Sequence, residues 1–279
     1  MYCDLHTHSN FSDGTYSPSK LIEGAKALGL KAIALTDHNT VAGLPDFVAA
    51  GQGSGVETVP GCEFSADYNG IELHILGLFI APCHYQSVTE LLEEAQREKE
   101  KSNIDLVAAL NEAGYGLDYD AICATCSGRI NRAHIAAAMV EKGYFPDMQA
   151  CFRGPLSEKR GFYRPPKRID AYDCIRFIKS LGAVAVLAHP FLNLDEAALR
   201  GFLPKAVAAG LDGMEVAYSK YSPETTARAV TVADAFGLRY SGGSDFHGGN
   251  KPDIQLGIGR GDLRIPLAWL EALKRRRNV

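Results

Sequence analysis

His6 and His8 stand two residues apart, directly after a short apolar run from Tyr2 to Leu5. On an extended chain, residues i and i+2 point to the same side, so both imidazoles can face one ion. Other residues of ligand type follow at intervals. They are Asp13 in a Ser-Asp-Gly turn, Asp37-His38, Glu63, His74, His189-Pro190, and Asp245 with His247 in Ser-Asp-Phe-His. Imidazole and carboxylate together suit Mn, Fe or Zn better than Mg, which prefers oxygen. A lone H-x-H carries little weight, because surface and structural histidines account for most of them. Six of the eight histidines here fall at expected strand ends or on an expected hairpin, each near a carboxylate or another histidine. Chance placement explains that poorly. His84 and His134 are left over.

The elements that must position these residues alternate in type. Ser17-Pro18 reads as an N-cap followed by Pro at the first helical position. The helix carries Leu21, Ile22, Ala25 and Leu28 on one face and stops at Gly29. Ala32 to Leu35 is the next strand. Val56 to Ser65 and Ile71 to Phe79 flank Asn69-Gly70, a strong hairpin signal. A two-residue loop sets Ser65 opposite His74. Glu63 then shares the face of Ser65 and becomes a diagonal neighbour of His74, close enough to share an ion. After position 167 the alternation resumes, with helices around Ile175 to Ser180, Ala206 to Ala209 and Thr225 to Phe236. Strands are expected at Ala183 to Ala188, Gly213 to Val216 and Arg239 to Gly242. Strands alternating with helices imply parallel pairing, in a barrel or an open sheet. In a barrel the strand C-termini converge on one face, which would bring the separate ligand segments together.

The middle of the chain differs. Ser87 to Asn111 is charged, rich in Glu, Lys, Leu and Ala, and reads as helix. Asn131 to Glu141 is another helix, ended at Gly143, and Phe152 to Pro166 is a Gly/Pro/Arg-rich loop. The expected division is a barrel of 1–83 and 167–279 with a helical insertion over 84–166.

Composition narrows the class. The chain has 279 residues, 46% hydrophobic and 22% charged, so it can pack a core and is not expected to be disordered. A net charge of −4 speaks against a surface that coats nucleic acid. No apolar run approaches the roughly 18 residues of a membrane helix. No signal peptide is expected after Met-Tyr-Cys-Asp-Leu-His, so no membrane association is anticipated. Seven cysteines, an odd number, suggest reduced thiols and a cytoplasmic location. Cys123 and Cys126 form one CxxC, and no second pair completes a four-thiolate zinc site.

Taken in order, His6-x-His8, Asp13, Thr36-Asp37-His38, Glu63, His74, Ala188-His189-Pro190 and Ser244-Asp245-x-His247 resemble the PHP family, named for polymerase and histidinol phosphatase. The resemblance covers most of the chain, and each expected metal position is filled. It implies a distorted (βα)7 barrel with three divalent ions, manganese first, iron or zinc otherwise. It also implies a division of ligands. One ion takes His6, His8, Glu63 and Asp245. A second takes Glu63, His74 and His189, with Glu63 bridging. A third takes Asp13, His38 and His247. Asp37 and His189 are the catalytic candidates, Asp37 by orienting a ligand histidine. Clustered cations supply hydroxide at neutral pH and neutralise phosphoryl charge, so no Ser, Cys or Asp nucleophile is needed.

Within that family, the insertion resembles compact phosphoesterases acting on nucleotide 3′,5′-bisphosphates, whose relatives trim the 5′ ends of short RNAs. Arg97, Arg132 and His134 match the basic positions that hold a second phosphate, with Phe152 and Tyr163 nearby in sequence. Glu100 stands where a basic residue is expected. Arg97 also fits an ordinary helix-surface pair, since Glu93, Arg97 and Lys101 are spaced i, i+4. The expected substrate is a phosphorylated nucleotide or short oligonucleotide, with no obligate protein partner. Histidinol-phosphate phosphatase is the nearest alternative. A non-catalytic metal-binding module is the alternative of another class, disfavoured because all nine ligand positions are filled. A C–N hydrolase of similar barrel lacks its lysine ligand here.

Overall fold

The computed structural model describes residues 1–125, 130–159, 161–165 and 168–277. They form two compact units. One comprises Met1–Thr89 with Ile169–Val279, and the other Glu90–Arg168. The sequence placed the joints a few residues earlier, at 83/84 and 166/167.

The first unit opens with β1 (Tyr2–Asp4), α1 (Pro18–Ala27), β2 (Ala32–Leu35) and α2 (Leu44–Gly51). α1 begins where the sequence indicates. The Ser17 hydroxyl accepts from the Lys20 N–H, Pro18 sits in the first turn, and Leu21, Ile22 and Ala25 are buried. Such a cap contributes about 1 kcal/mol. Gly29 follows at φ +70°, a conformation that a Cβ would disfavour. The long hairpin comes next, β3 (Glu57–Tyr68) and β4 (Ile71–Leu78). Asn69 and Gly70 both have positive φ, as a type I′ turn requires. The register sets Ser65 opposite His74.

The second unit holds α3 (Tyr85–Glu112) from Glu90 onward, α4 (Tyr119–Ala124), α5 (Arg132–Glu141) and α6 (Met148–Arg153). Its core is Leu106, Val107, Leu110, Ile135, Met139, Cys151 and Tyr163. The stretch read as loop from Phe152 thus begins inside a helix, which Asp147 caps by accepting from the Ala150 N–H.

The first unit then continues through β5 (Ile169–Asp170), α7 (Ala171–Ser180), β6 (Val184–Leu187), α8 (Glu196–Ala208), β7 (Gly213–Tyr218), α9 (Pro223–Ala235), β8 (Arg239–Gly243), β9 (Ile265–Pro266) and α10 (Leu267–Lys274). Its strands form one sheet in the order β8-β7-β6-β4-β3-β2-β1-β9, with β5 beside β3. β1, β2 and β3 are parallel, as are β6, β7 and β8. β4 is antiparallel to both neighbours. The sheet curls into a nearly closed barrel. The chain beyond β1 meets the end of β8 and the chain beyond it, through Leu5 N–H to the Gly242 carbonyl, Asp245 N–H to His6 and His8 N–H to Phe246. Gly243 permits that approach. A Cβ there would stand 2.4 Å from the Cβ of His6.

The alternation of side chains along β3 and β4 explains where core ends and site begins. Val59, Gly61 and Glu63 share one face of β3, and Leu78, Leu76 and His74 share one face of β4. The deeper members, Val59, Leu76 and Leu78, pack with Ala32, Val184, Val186 and Ile265 in the core. Glu63 and His74 lie one step beyond them. Among the described residues no helix is long and apolar enough to cross a membrane, and no disulfide joins the cysteines. Cys126, half of the CxxC, lies outside the described residues.

Candidate metal centre

The segments bearing His6, His8, His38, His189, Asp245 and His247 continue the chain past strand ends, Glu63 and His74 lie within β3 and β4, and backbone hydrogen bonds tie several of these stretches side by side. Thr36 N–H donates to Thr7, Asn39 N–H to Glu63, and Glu63 N–H to Asp37. The stretches bearing His8, His38 and Glu63 are thereby held together through their backbones. Three positions adopt backbone that non-glycine residues avoid. They are Asn39 (φ 48°), His189 (φ 28°) and Asp245 (φ 55°). Such residues cost about 1–3 kcal/mol each and cluster where geometry matters more than stability.

Glu63 sits at the centre, wholly buried. Its Oε2 lies 3.1 Å from His6 Nε2, His8 Nε2 and His38 Nδ1. Its Oε1 lies 2.8 Å from His74 Nδ1 and 3.1 Å from His189 Nε2. Asp245 Oδ1 stands 3.2 Å from His8 Nε2 and 3.7 Å from His6 Nε2. Asp13 Oδ1 is 3.2 Å from His247 Nε2 and 3.9 Å from His38 Nε2. The structure therefore brings together all nine residues singled out as ligands. Donor atoms of His6, His8, Glu63 and Asp245 lie within 4.8 Å of one another, as do those of His38, Glu63 and His74, and those of His8, Asp13, His38 and His247.

This geometry fits shared cations better than shared protons. Two atoms each about 2.1 Å from one ion, at right-angle or tetrahedral geometry, stand roughly 3.0–3.4 Å apart. His6 Nε2 and His8 Nε2 are 3.1 Å apart, although both are lone-pair donors toward metals. His74 Nδ1 lies 2.8 Å from Glu63, yet it makes no directed hydrogen bond, and neither does His247 Nε2. Buried polar atoms that approach without aligning are a rare cost unless a further body satisfies them.

Titration behaviour follows from the same crowding. Burial alone would lower His8, but Asp245 and Glu63 outweigh it and hold the ring at about 9. Burial also opposes His74, which Glu63 lifts to about 10. His6 ends well above its ordinary value because Glu63 and Glu215 overcome its burial. At His38 burial wins, and the ring falls to about 3. Burial would raise Glu63, yet His38, His6 and His74 keep it well below the usual carboxylate range. Exposure is graded across the cluster. His6, His8 and Glu63 are sealed, whereas the side chains of His38, His74 and Asp13 are about a fifth exposed. A ligand from solvent meets the His38 and His74 side first.

The remaining candidates have local partners. Asp37 makes its side-chain bonds to Ser9 and Ser12. Oδ1 accepts from Ser9 N–H at 2.7 Å and Ser12 Oγ at 2.6 Å, and Oδ2 from Ser9 Oγ at 2.6 Å. It ties the loop after His8 and orients no histidine directly. Short serine side chains nearby outcompete a more distant ring. His134 Nδ1 accepts the Asn131 N–H as half of a capping box, which gives the ring a local duty. The Arg132 guanidinium lies over Tyr163 at 3.8 Å, pairs with Glu158 at 3.3 Å and donates to the Leu156 carbonyl. Arg97 pairs with Glu93 at 3.8 Å, and both are exposed.

Sequence reasoning missed four buried or half-buried residues that support the cluster. Glu215 reaches His6 Nδ1 at 3.0 Å and His189 N–H at 2.8 Å. Tyr218 and Lys251 both donate to Asp245 Oδ2 at 2.8 Å, so that Oδ1 is the oxygen turned to His8. Asp4 accepts from Ser244 N–H and Gly257 N–H, each at 2.8 Å. Two of these were signalled. Asp4 and Glu215 are acids inside otherwise apolar strands, a placement that needs a reason.

Comparison with known proteins adds relatives. The PHP domain model matches residues 4–156. A 5′-3′ exoribonuclease from Haemophilus influenzae is 32% identical over 245 residues, covering 88% of this chain and 89% of that protein. A 3′,5′-nucleoside bisphosphate phosphatase from Chromobacterium violaceum is 31% identical over 247 residues, covering 88% and 86%. A solved structure from Bifidobacterium adolescentis, described as a metal-dependent phosphoesterase, superposes with a TM-score of 0.86 at 28% identity. That superposition covers 99% of this chain and 96% of the other.

Proposed function

The chain belongs to the PHP family, and from that premise we propose that it removes phosphate from a nucleotide 3′,5′-bisphosphate or trims short 5′-phosphorylated oligonucleotides. It is a metal-dependent phosphoesterase in class. The observation that carries the reading is Glu63, whose two oxygens each face a different set of histidines. One carboxylate serving two sets suits a bridge between two cations, and the proximity of Asp13, His38 and His247, with His8 beside them, supports a third. Manganese is the first choice, with iron or zinc as substitutes.

Divalent ions held by these residues would supply a nucleophile from water at neutral pH and would neutralise phosphoryl charge as it develops. The protein's own residues do the rest. Glu63, His6, His8 and Asp245 close the deep end and exclude water. His38, His74 and Asp13 line the more accessible side, from which the substrate's phosphate approaches. His189 fixes the side of Glu63 that faces His74 and is the candidate catalytic ligand. Asp37 acts indirectly, holding Ser9 and Ser12 so that the segment bearing His8 and Asp13 keeps its course. No Ser, Cys or Asp nucleophile is invoked. Substrate choice falls to Arg97, Arg132 and His134 in the helical unit, acting as a substrate-binding cap. The relatives' named activities support a nucleotide substrate.

Phosphate release should be measured from adenosine 3′,5′-bisphosphate, a 5′-phosphorylated dinucleotide and histidinol phosphate, each with Mn(II). Turnover of the first two with little of the third is expected. Preference for histidinol phosphate would move the chain to the other named branch of its family.

A further inference from the structure

We propose that Glu215 is a positioning residue that holds two ligand histidines at once, His6 through its ring and His189 through its backbone. The inference rests on the metal-centre reading above and concerns what fixes its ligands. Glu215 lies in β7 between Met214 and Val216 and is fully buried. Removing a carboxylate from water costs several kcal/mol unless its oxygens are satisfied. Here both are used. Oε1 lies 3.0 Å from His6 Nδ1, and Oε2 accepts the His189 N–H at 2.8 Å.

Each bond has a separate consequence. A carboxylate oxygen is an acceptor, so the 3.0 Å contact is a hydrogen bond when His6 Nδ1 carries the proton. That choice fixes the tautomer and leaves the His6 Nε2 lone pair facing His8 and Glu63. The second bond anchors a backbone that needs anchoring, because His189 sits at φ 28° and ψ 52°. The two histidines contact opposite oxygens of Glu63, His6 at Oε2 and His189 at Oε1. Glu215 therefore couples the two sides of the bridge from behind. Among the described residues, two other ligand rings are backed differently. His247 Nδ1 faces the Asp245 carbonyl at 2.8 Å, and Glu72 stands 3.6 Å from His74 Nε2, too far for a good hydrogen bond.

The requirement for two acceptors makes Glu215→Gln informative. Both partners are donors, and an amide offers one acceptor oxygen and one donor NH2. If its oxygen faces His6, the NH2 opposes the His189 N–H. If it is flipped, the NH2 meets His6 Nδ1 and forces the proton onto Nε2, which blocks the ligand atom. Glu215→Asp keeps both oxygens on an arm one methylene shorter, which can reach one partner only.

Wild type and both variants should be stripped with a chelator, verified metal-free and titrated with Mn(II). Affinity is read by chelator competition, stoichiometry by elemental analysis, and melting with and without metal. Co(II)-loaded protein supplies a visible spectrum that reports ligand geometry. Glu215→Gln is expected to lose about 10- to 100-fold in Mn(II) affinity. The ions served by His6 and His189 should weaken together, with an altered Co(II) spectrum, and the site of Asp13, His38 and His247 should persist. Glu215→Asp should fall between Gln and wild type, and it carries the test if the Gln variant does not fold. Wild-type affinity, stoichiometry and Co(II) spectrum, with only the metal-free melting temperature lowered, would make Glu215 a structural residue and overturn the proposal. A wild type that takes up no Mn(II) would remove the metal reading itself, and the proposal with it.

Discussion

Glu63 and Arg97 are both charged and both paired, but in opposite ways. Glu63, in the barrel unit, is sealed from water and faces five histidines from four segments of the chain. Arg97, in the helical unit, is 70% exposed and meets one glutamate a single turn away. Lys101 and Asp105 repeat the pattern of Arg97 at 2.9 Å. Buried, many-partnered charge costs stability and is kept where chemistry needs it. Exposed i, i+4 pairs contribute little and are compatible with many roles. The contrast separates a site whose residue types are dictated from a surface whose residue types are permitted.

The largest effect should come from breaking the shared carboxylate. Glu63→Gln removes the charge that faces both histidine sets, so metal should leave two sites together and turnover should fall by at least about 10²- to 10³-fold. Elemental analysis beside phosphate release checks this. Full metal content with near-normal turnover would mean that Glu63 bridges nothing.

Metal removal should come next. An ion bound only by the folded state adds about 4 kcal/mol when free metal is a thousandfold above Kd. EDTA should lower the melting temperature by many degrees, and an unchanged melt with metal loss verified would show that the cluster does not stabilise the fold. The pH dependence gives this a sign. In the metal-free protein His8 and His74 titrate at about 9 and about 10, above an unfolded value near 6.5. Their contribution is complete below about pH 6.5 and is lost as pH rises through 9 to 10. Metal-free protein should therefore weaken from neutral to alkaline pH. Because bound metal must displace those protons, Mn(II) affinity should rise over the same range. Melting curves at pH 6, 8 and 9.5, with and without metal, compare the two trends. Parallel trends would contradict the account.

How much of this was legible in the sequence differs between the units, for the same physical reason. His6-x-His8, Asp13, Asp37-His38, Glu63, His74, His189 and Asp245-x-His247 could be found because metal ligation restricts residue type and strand ends restrict position. The Asn69-Gly70 turn even supplied the register that sets Ser65 opposite His74. Glu215, Tyr218 and Lys251 went unseen because they act on a ligand's far side, Glu215 on His6 and the other two on Asp245, and nothing in their spacing points to those partners. The small helices α2, α4, α6 and α10 were missed as well. They are short, and packing rather than periodicity makes them helical. In the helical unit, Arg132 and His134 were read as phosphate contacts from their chemistry alone, and the structure also gives both of them local partners.

That ambiguity frames the smaller predictions. Losing a charge-assisted phosphate contact costs about 1.5–3 kcal/mol, or roughly ten- to a hundredfold in kcat/KM. Arg132→Ala should damage hydrolysis of adenosine 3′,5′-bisphosphate by that factor while sparing an aryl phosphate, which has no second phosphate. Equal losses on both substrates would assign Arg132 to the packing of Tyr163 and Glu158 alone. Arg97→Ala should leave the melting temperature unchanged within error, since its pair with Glu93 is exposed. Any substrate-selective loss there would show that an ordinary surface pair conceals a binding role.

The most direct test titrates Mn(II) into verified metal-free protein while bound metal and phosphate release from adenosine 3′,5′-bisphosphate are followed together. The account predicts no turnover in the stripped protein, then activity that rises as occupancy climbs to about three ions per chain. Full activity without metal, or saturation at a single ion, would contradict it.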